Sequence, residues 1–111
     1  MMDKYPKTFH LPWSPNLQND DRMLPDVSVF NGKDIIITEK LDGENTGMTP
    51  KTCHARSLDS RDHPSRHWVK ALHGRIQRDI PEDWQIFGEN MFAEHSIRYE
   101  NLTSFLYIFL I

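Results

Sequence analysis

An α+β fold of antiparallel strands with a flanking helix is predicted by three features of this sequence. Apolar, β-branched and aromatic runs recur at Asp34–Glu39, Trp84–Met91 and Ser104–Ile111. One stretch, Arg66–Arg78, carries Trp68, Val69, Leu72 and Ile76 on a single stripe at helical spacing. Asn31-Gly32 and Asp42-Gly43 supply turn chemistry on either side of the first run. At 111 residues the chain is one domain or less, with a core of marginal size.

Taken in order, Lys4–Trp13 reads as an extended arm that packs its aromatics on a later core. Asn16–Asp21 is a polar loop. Val27–Phe30 is a candidate short strand, and Asn31-Gly32 joins it to Asp34–Glu39 as a hairpin. Asp34–Glu39 itself reads as a buried strand, which leaves Lys40 at its end and Asp42-Gly43 turning the chain just after. Thr46–Ser57 holds two further extended pieces broken at Pro50-Lys51, the second being Thr52–Ser57. Pro64 suits the first turn of the helix, and Pro81 follows its end. Trp84–Met91 and Ser104–Ile111 are the last strands, with a mixed segment, Phe92–Asn101, turning back between them. A core strand rarely ends a native domain, so Ile111 reads as a truncation point. The uncovered strand Phe105–Ile111 then predicts poor solubility.

Apolar and charged fractions of 38% and 26% are those of a soluble globular protein. The longest apolar run, Phe105–Ile111, falls far short of the ~20 residues that span a bilayer, so no membrane role is expected. Met1–Pro15 lacks the apolar core of a signal peptide. The single cysteine, Cys53, excludes an internal disulfide, suits a reducing cytoplasm, and reads as buried and inert. The net charge of −3 hides an asymmetry. Lys51–Arg78 has seven Lys/Arg against two Asp, a local +5, so the remainder carries −8. A basic middle in an acidic chain is compatible with a polyanion site and equally with a solvated helix face.

Lys40 is the residue with most chemical promise. A lysine is a nucleophile only when neutral, which burial or neighbouring cations must enforce against a pKa of ~10.4. The end of an apolar strand, within reach of a metal-charged triphosphate and of arginines, meets that need. Asp42 is placed to orient the amine or take up a proton. Gly43 lets the backbone approach a phosphate. Taken alone, Lys-x-Asp-Gly is more often a plain turn. His63 and His67 share a helix face but lack a third ligand, so no metal site is assigned. Trp68, Leu72, Ile76 and Phe105 read as core.

The wider pattern changes the reading. Glu39-Lys40-Leu41-Asp42-Gly43-Glu44-Asn45 resembles the nucleotidyl-transfer motif of the covalent nucleotidyltransferases, the superfamily of ATP-dependent ligases and mRNA capping enzymes. Asn45 is similar to the asparagine of the RNA ligase branch. Forty-nine residues after Lys40, Phe87-Gly88-Glu89 resembles the family's third motif, and twenty further on Tyr107-Ile108-Phe109 resembles its adenine-stacking aromatic motif. His54-Ala55-Arg56-Ser57 sits where the family has a strand with a phosphate- and ribose-facing arginine. Lys4-Tyr5-Pro6, Phe9–Pro15, His54–Arg61 and Trp68-Val69-Lys70 extend the resemblance over essentially the whole chain. The family it resembles is a group of small bacterial and phage RNA ligases related to the second type of phage RNA ligase.

The resemblance implies an incomplete ATP-grasp-like nucleotidyltransferase domain, with ATP between antiparallel sheets and residues 1–111 as its N-terminal part. The family's fourth motif, with a metal-binding glutamate, and its fifth, with α-phosphate lysines, are not found in this sequence. It implies Lys40 as the nucleophile that forms lysyl-AMP, with ATP and Mg²⁺ required. It implies RNA 5′-phosphate and 3′-OH ends as partners. Asp42 and Glu89 join Lys40 as catalytic residues, Glu89 as a ribose- or metal-linked carboxylate. Glu39, Gly43, Asn45, Arg56 and Phe109 complete the nucleotide site. Asn45, Arg61 and Arg66 are the candidate RNA contacts. The rival readings are a truncated, inactive remnant that binds nucleotide or RNA weakly, and a capping-type guanylyltransferase, which Asn45 fits less well.

Overall fold

The computed structural model describes residues 3–15, 17–56 and 62–111. It is α+β, with one four-stranded antiparallel sheet and one α-helix. The strands are β1 (Glu44–Met48), β2 (Cys53–Ala55), β3 (Ile86–Asn90) and β4 (Leu106–Leu110), in the order β2-β1-β3-β4. The helix, α1, is His67–Ile76, with a 3₁₀ turn at each end, Pro64–Arg66 and Gln77–Asp79. The chain divides into two compact units, Pro6–Glu39 and Met1–Tyr5 with Lys40–Ile111. No helix among the described residues is long and apolar enough to cross a membrane.

The sheet belongs to the second unit, and its pairing follows from local chemistry. Thr49-Pro50-Lys51-Thr52 closes the β1–β2 hairpin, with the Thr52 amide donating to Thr49 Oγ1 at 3.1 Å and the Thr49 amide to the Thr52 carbonyl at 2.8 Å. Thr46 pairs with Ala55 on one side and with Gly88 on the other. Successive residues point to opposite faces of a sheet. On one face Met48, Cys53, Ile86 and Leu106 meet Trp68, Val69, Ile76 and Ile80, forming the apolar core. Met48 is only 1% exposed.

Polar ties fix α1 on that face. His73, buried on the helix's apolar side, donates Nε2–H to the Thr49 carbonyl at 2.7 Å. Buried Asn90 donates to the Ser65 carbonyl at 3.1 Å and accepts from the Phe92 amide at 3.0 Å. Phe105 meets Trp68 and Phe92 edge-on, with ring centroids 5.3 and 5.2 Å apart, yet stays partly exposed at the rim. Cys53 is half-buried, and that burial pushes its thiol pKa up.

The Pro6–Glu39 unit departs from expectation. Val27–Phe30 is not a strand, since Ser28–Phe30 forms a 3₁₀ turn with the Asp26 carboxylate accepting from the Ser28 amide at 2.8 Å. Asn31 has φ −59° and ψ 131°, and Gly32 has φ +71°. With the Lys33 amide donating to the Phe30 carbonyl at 3.1 Å, this is type II turn geometry, whose twist splays strands where a hairpin needs the primed types. Asp34–Glu39 therefore pairs with no strand among the described residues and is not a strand, and Ile36 and Ile37 are 92% and 86% exposed. The arm differs too. Trp13 is 69% exposed and Phe9 is exposed as well, whereas Tyr5, in the other unit, packs on the sheet. Within the Pro6–Glu39 unit, Lys7 pairs with Asp20, and His10 bridges Met23 in parallel fashion.

Met48→Ala removes a side chain from the centre of the core and is expected to cost about 2–5 kcal/mol in urea unfolding. Ile36→Ser is expected to change stability by less than about 0.5 kcal/mol in the same assay.

Candidate active site

The face of the sheet opposite α1 gathers four of the sequence-predicted residues, Asn45, Arg56, Glu89 and Phe109. The register pairs Asn45 with Glu89 and Gly47 with both Phe87 and His54, so these side-chain positions share that face. Continued by one residue, the β1–β2 register brings exposed Arg56 level with Asn45. On β4, Gly88 pairs with Ile108 and Phe87 with Leu110, so Phe109 is the extra residue of a bulge. The bulge turns Phe109 to the Phe87 side. The Tyr5 ring bridges the two edge-on, at 5.4 Å from Phe87 and 5.2 Å from Phe109.

Lys40 is exposed and enters this unit just ahead of the Asp42-Gly43 turn. The turn lies against the end of β3. The Gly43 amide donates to Glu89 Oε1 at 3.1 Å. A Cβ on Gly43 would come within 2.5 Å of the Asn90 carbonyl oxygen and 2.6 Å of Met91 Sδ, so only glycine allows this approach. Gly47 serves the same end, because a Cβ there would lie 2.5 Å from His54 Nε2. His54 is buried, with Nδ1–H donating to its neighbour's carbonyl, Ala55 O, at 2.6 Å.

The Glu89 carboxyl is half-buried, and desolvation raises its pKa above the ordinary carboxylate value. The Gly43 amide and the Lys40 charge pull it back, Asp42 pushes it up, and His95 pulls it down. Lys40, Asp42 and His95 thus each lie within electrostatic reach of Glu89. Asp42 Oδ2 accepts the Ser96 and Ile97 amides at 2.8 and 3.1 Å, and the Asp42 amide donates to the Tyr99 hydroxyl at 3.0 Å. Asn45 Oδ1 is buried and has no hydrogen-bond partner among the described residues.

Arg66 is engaged within the fold. Its Nε and Nη2 donate to Glu44 Oε1 and Oε2 at 2.7 and 2.8 Å, a bidentate pair joining the helix entrance to β1. Arg66 holds the Glu44 pKa down, with His95 and His63 adding smaller effects of the same sign. His67 and Lys70 both pair with Asp62, whose pKa falls to about 2, and His63 bonds Ser65. Among the described residues no three His, Cys, Asp or Glu side chains could hold a metal ion. Glu39 is exposed and belongs to the Pro6–Glu39 unit, and Arg61 lies outside the described residues. His95 and Tyr99 escaped the sequence reading because Phe92–Asn101 has neither period nor familiar motif, and the Glu44–Arg66 pair because its members stand 22 residues apart.

Fold and site together define an α+β chain that presents a lysine-bearing turn beside a half-buried glutamate on one sheet face. The model of the RNA ligase family matches residues 33–111, more than two-thirds of the chain, and the chain belongs to that family. Comparison with curated proteins and with solved structures gave no match.

Gly43→Ala is expected to force the turn off β3 and to cost about 1–3 kcal/mol in thermal or urea unfolding. Glu44→Gln breaks the half-buried pair, at a cost of about 1–2 kcal/mol at neutral pH, between exposed and buried cases. The sign of its pH dependence follows from the lowered Glu44 pKa. The pair's stabilisation is complete above the ordinary value of 4.5 and is lost as pH falls through the folded one. Parent and Glu44→Gln stabilities are therefore expected to converge in acid. Glu89 has the opposite sign, its raised pKa withdrawing stability as pH rises.

Proposed function

We propose that this chain carries the adenylyl-transfer chemistry of an ATP-dependent RNA ligase. One observation carries the reading. The Gly43 amide on the Glu89 carboxylate, at 3.1 Å, joins the Lys40 turn to the Phe87-Gly88-Glu89 strand, 46 residues away in the chain. Family membership supports the same conclusion.

In this reading the Lys40 amine, neutral when it reacts, attacks the α-phosphorus of ATP. A nitrogen–phosphorus bond forms, the bond to pyrophosphate breaks with its electrons leaving on pyrophosphate, and the amine gives up a proton. The adenylyl group then passes from Lys40 to the 5′-phosphate of an RNA end. Attack by an RNA 3′-OH forms the phosphodiester and releases AMP. Glu89 bonds the ribose hydroxyls, and Glu39 reads the adenine edge. Arg56 faces ribose or phosphate oxygens, and Phe109 stacks on adenine beside Tyr5. Asn45, whose buried Oδ1 has no partner among the described residues, serves the adenylylated RNA end with Arg61 and Arg66. Asp42 holds the turn that carries Lys40. Mg²⁺ bound to the triphosphate would offset its charge.

The test is covalent labelling. With Mg²⁺ and α-labelled ATP, label is expected to stay on the denatured protein, and Lys40→Ala is expected to abolish it. Label from GTP alone would overturn the ligase reading in favour of a capping-type enzyme. No label from either nucleotide would identify an inactive member of the family.

A further inference from the structure

The loop between β3 and β4 does more than return the chain. It grips the Asp42-Gly43 turn through hydrogen bonds running in both directions. The Asp42 amide donates to the Tyr99 hydroxyl at 3.0 Å. The Asp42 carboxylate, through Oδ2, accepts the Ser96 and Ile97 amides at 2.8 and 3.1 Å. These partners lie 54 to 57 residues along the chain from Asp42. One residue further on, the Gly43 amide reaches Glu89. Two consecutive amides of the turn are thus held by side chains of two different elements, the strand and the loop.

We infer that Tyr99 is a positioning residue, and that the Ser96–Tyr99 loop is a clamp that sets where Lys40 stands relative to Glu89. The chemistry argues for positioning. Lys40 itself is exposed, and it stands two residues ahead of the Asp42-Gly43 turn. Gly43 makes the turn flexible in isolation, because it loses the most conformational freedom on ordering. A half-buried carboxylate that receives two amides, beside an amide that finds a hydroxyl, removes that freedom. Asp42 Oδ2 is committed to the loop, and through it the carboxylate fixes the backbone that carries Lys40. The same contacts set the chain next to Ser96, bringing His95 within electrostatic reach of Glu89 and Glu44. The clamp itself stands on geometry. Its effect on rate rests on the adenylyl-transfer reading above.

Tyr99→Phe deletes the hydroxyl and keeps the ring. In amide hydrogen exchange, the variant is expected to show at least about tenfold faster exchange at Asp42 and Gly43, with the β3 amides unchanged. Its thermal midpoint is expected to stay within about 2 °C of the parent. The rate constant of lysine labelling at saturating ATP is expected to fall on the order of tenfold, with half-saturating ATP changed less than about twofold, as loss of positioning rather than of binding requires. Unchanged exchange at Asp42 and Gly43 overturns the clamp. Faster exchange with an unchanged labelling rate overturns the positioning role. A parent chain that takes no label overturns the adenylyl-transfer reading instead, and the exchange data alone then decide the clamp.

Discussion

The contact between the Gly43 amide and the Glu89 carboxylate sets the terms for the sheet around it. At 3.1 Å it brings backbone directly against the end of β3, and the space left would not admit a methyl group. β1 begins at the next residue, so its pairing with β3, Glu44 opposite Asn90 and Asn45 opposite Glu89, runs on from this point. β1 is central and also templates β2, which puts His54 over Gly47. The carboxylate is desolvated in the process, and the amide and Lys40 partly offset that penalty.

The two faces of the sheet do different physical work. The helix face is a small apolar core around Met48, Val69 and Ile80, a modest source of stability for a chain of this length. Directional ties add to it where α1 enters and where it passes the hairpin. Glu44–Arg66 and Asn90–Ser65 hold the entrance, and His73–Thr49 holds the hairpin. The opposite face carries the polar and aromatic groups, with Asn45, His54 and Glu89 level with Phe87 and Phe109. Asn45 Oδ1 is buried there without a partner among the described residues, as is His54 Nε2. Unpaired buried acceptors cost stability, and such groups are characteristic of sites rather than of cores.

The elements that were legible in the sequence are those whose signal is local. The helix over Arg66–Arg78 and the strands within Trp84–Met91, Thr52–Ser57 and Ser104–Ile111 all form, a residue or more shorter than read. Their periodicities are bound to burial on one face, so a local pattern carries global information. Asp34–Glu39 failed for the complementary reason. A strand needs a partner to satisfy its backbone, and no local pattern supplies one. The Asn31-Gly32 turn signal was real, but a type II turn beside a 3₁₀ segment does not lead into a hairpin.

For the site, the sequence by itself determined the family and offered the candidate residues. Lys40, Asp42 and Gly43 were named from their own chemistry, and Asn45, Arg56, Glu89 and Phe109 through the resemblance to the RNA ligase family, with which membership of that family agrees. Only the tertiary structure decided how several of these residues are used. Arg66, read as an RNA contact, is bound by Glu44, and Asp42 is bound by a loop that had no readable pattern. The physical reason is one of range. Residue type and spacing report what a side chain can do, whereas a hydrogen bond across 54 residues of chain exists only once the sheet has brought its two ends together.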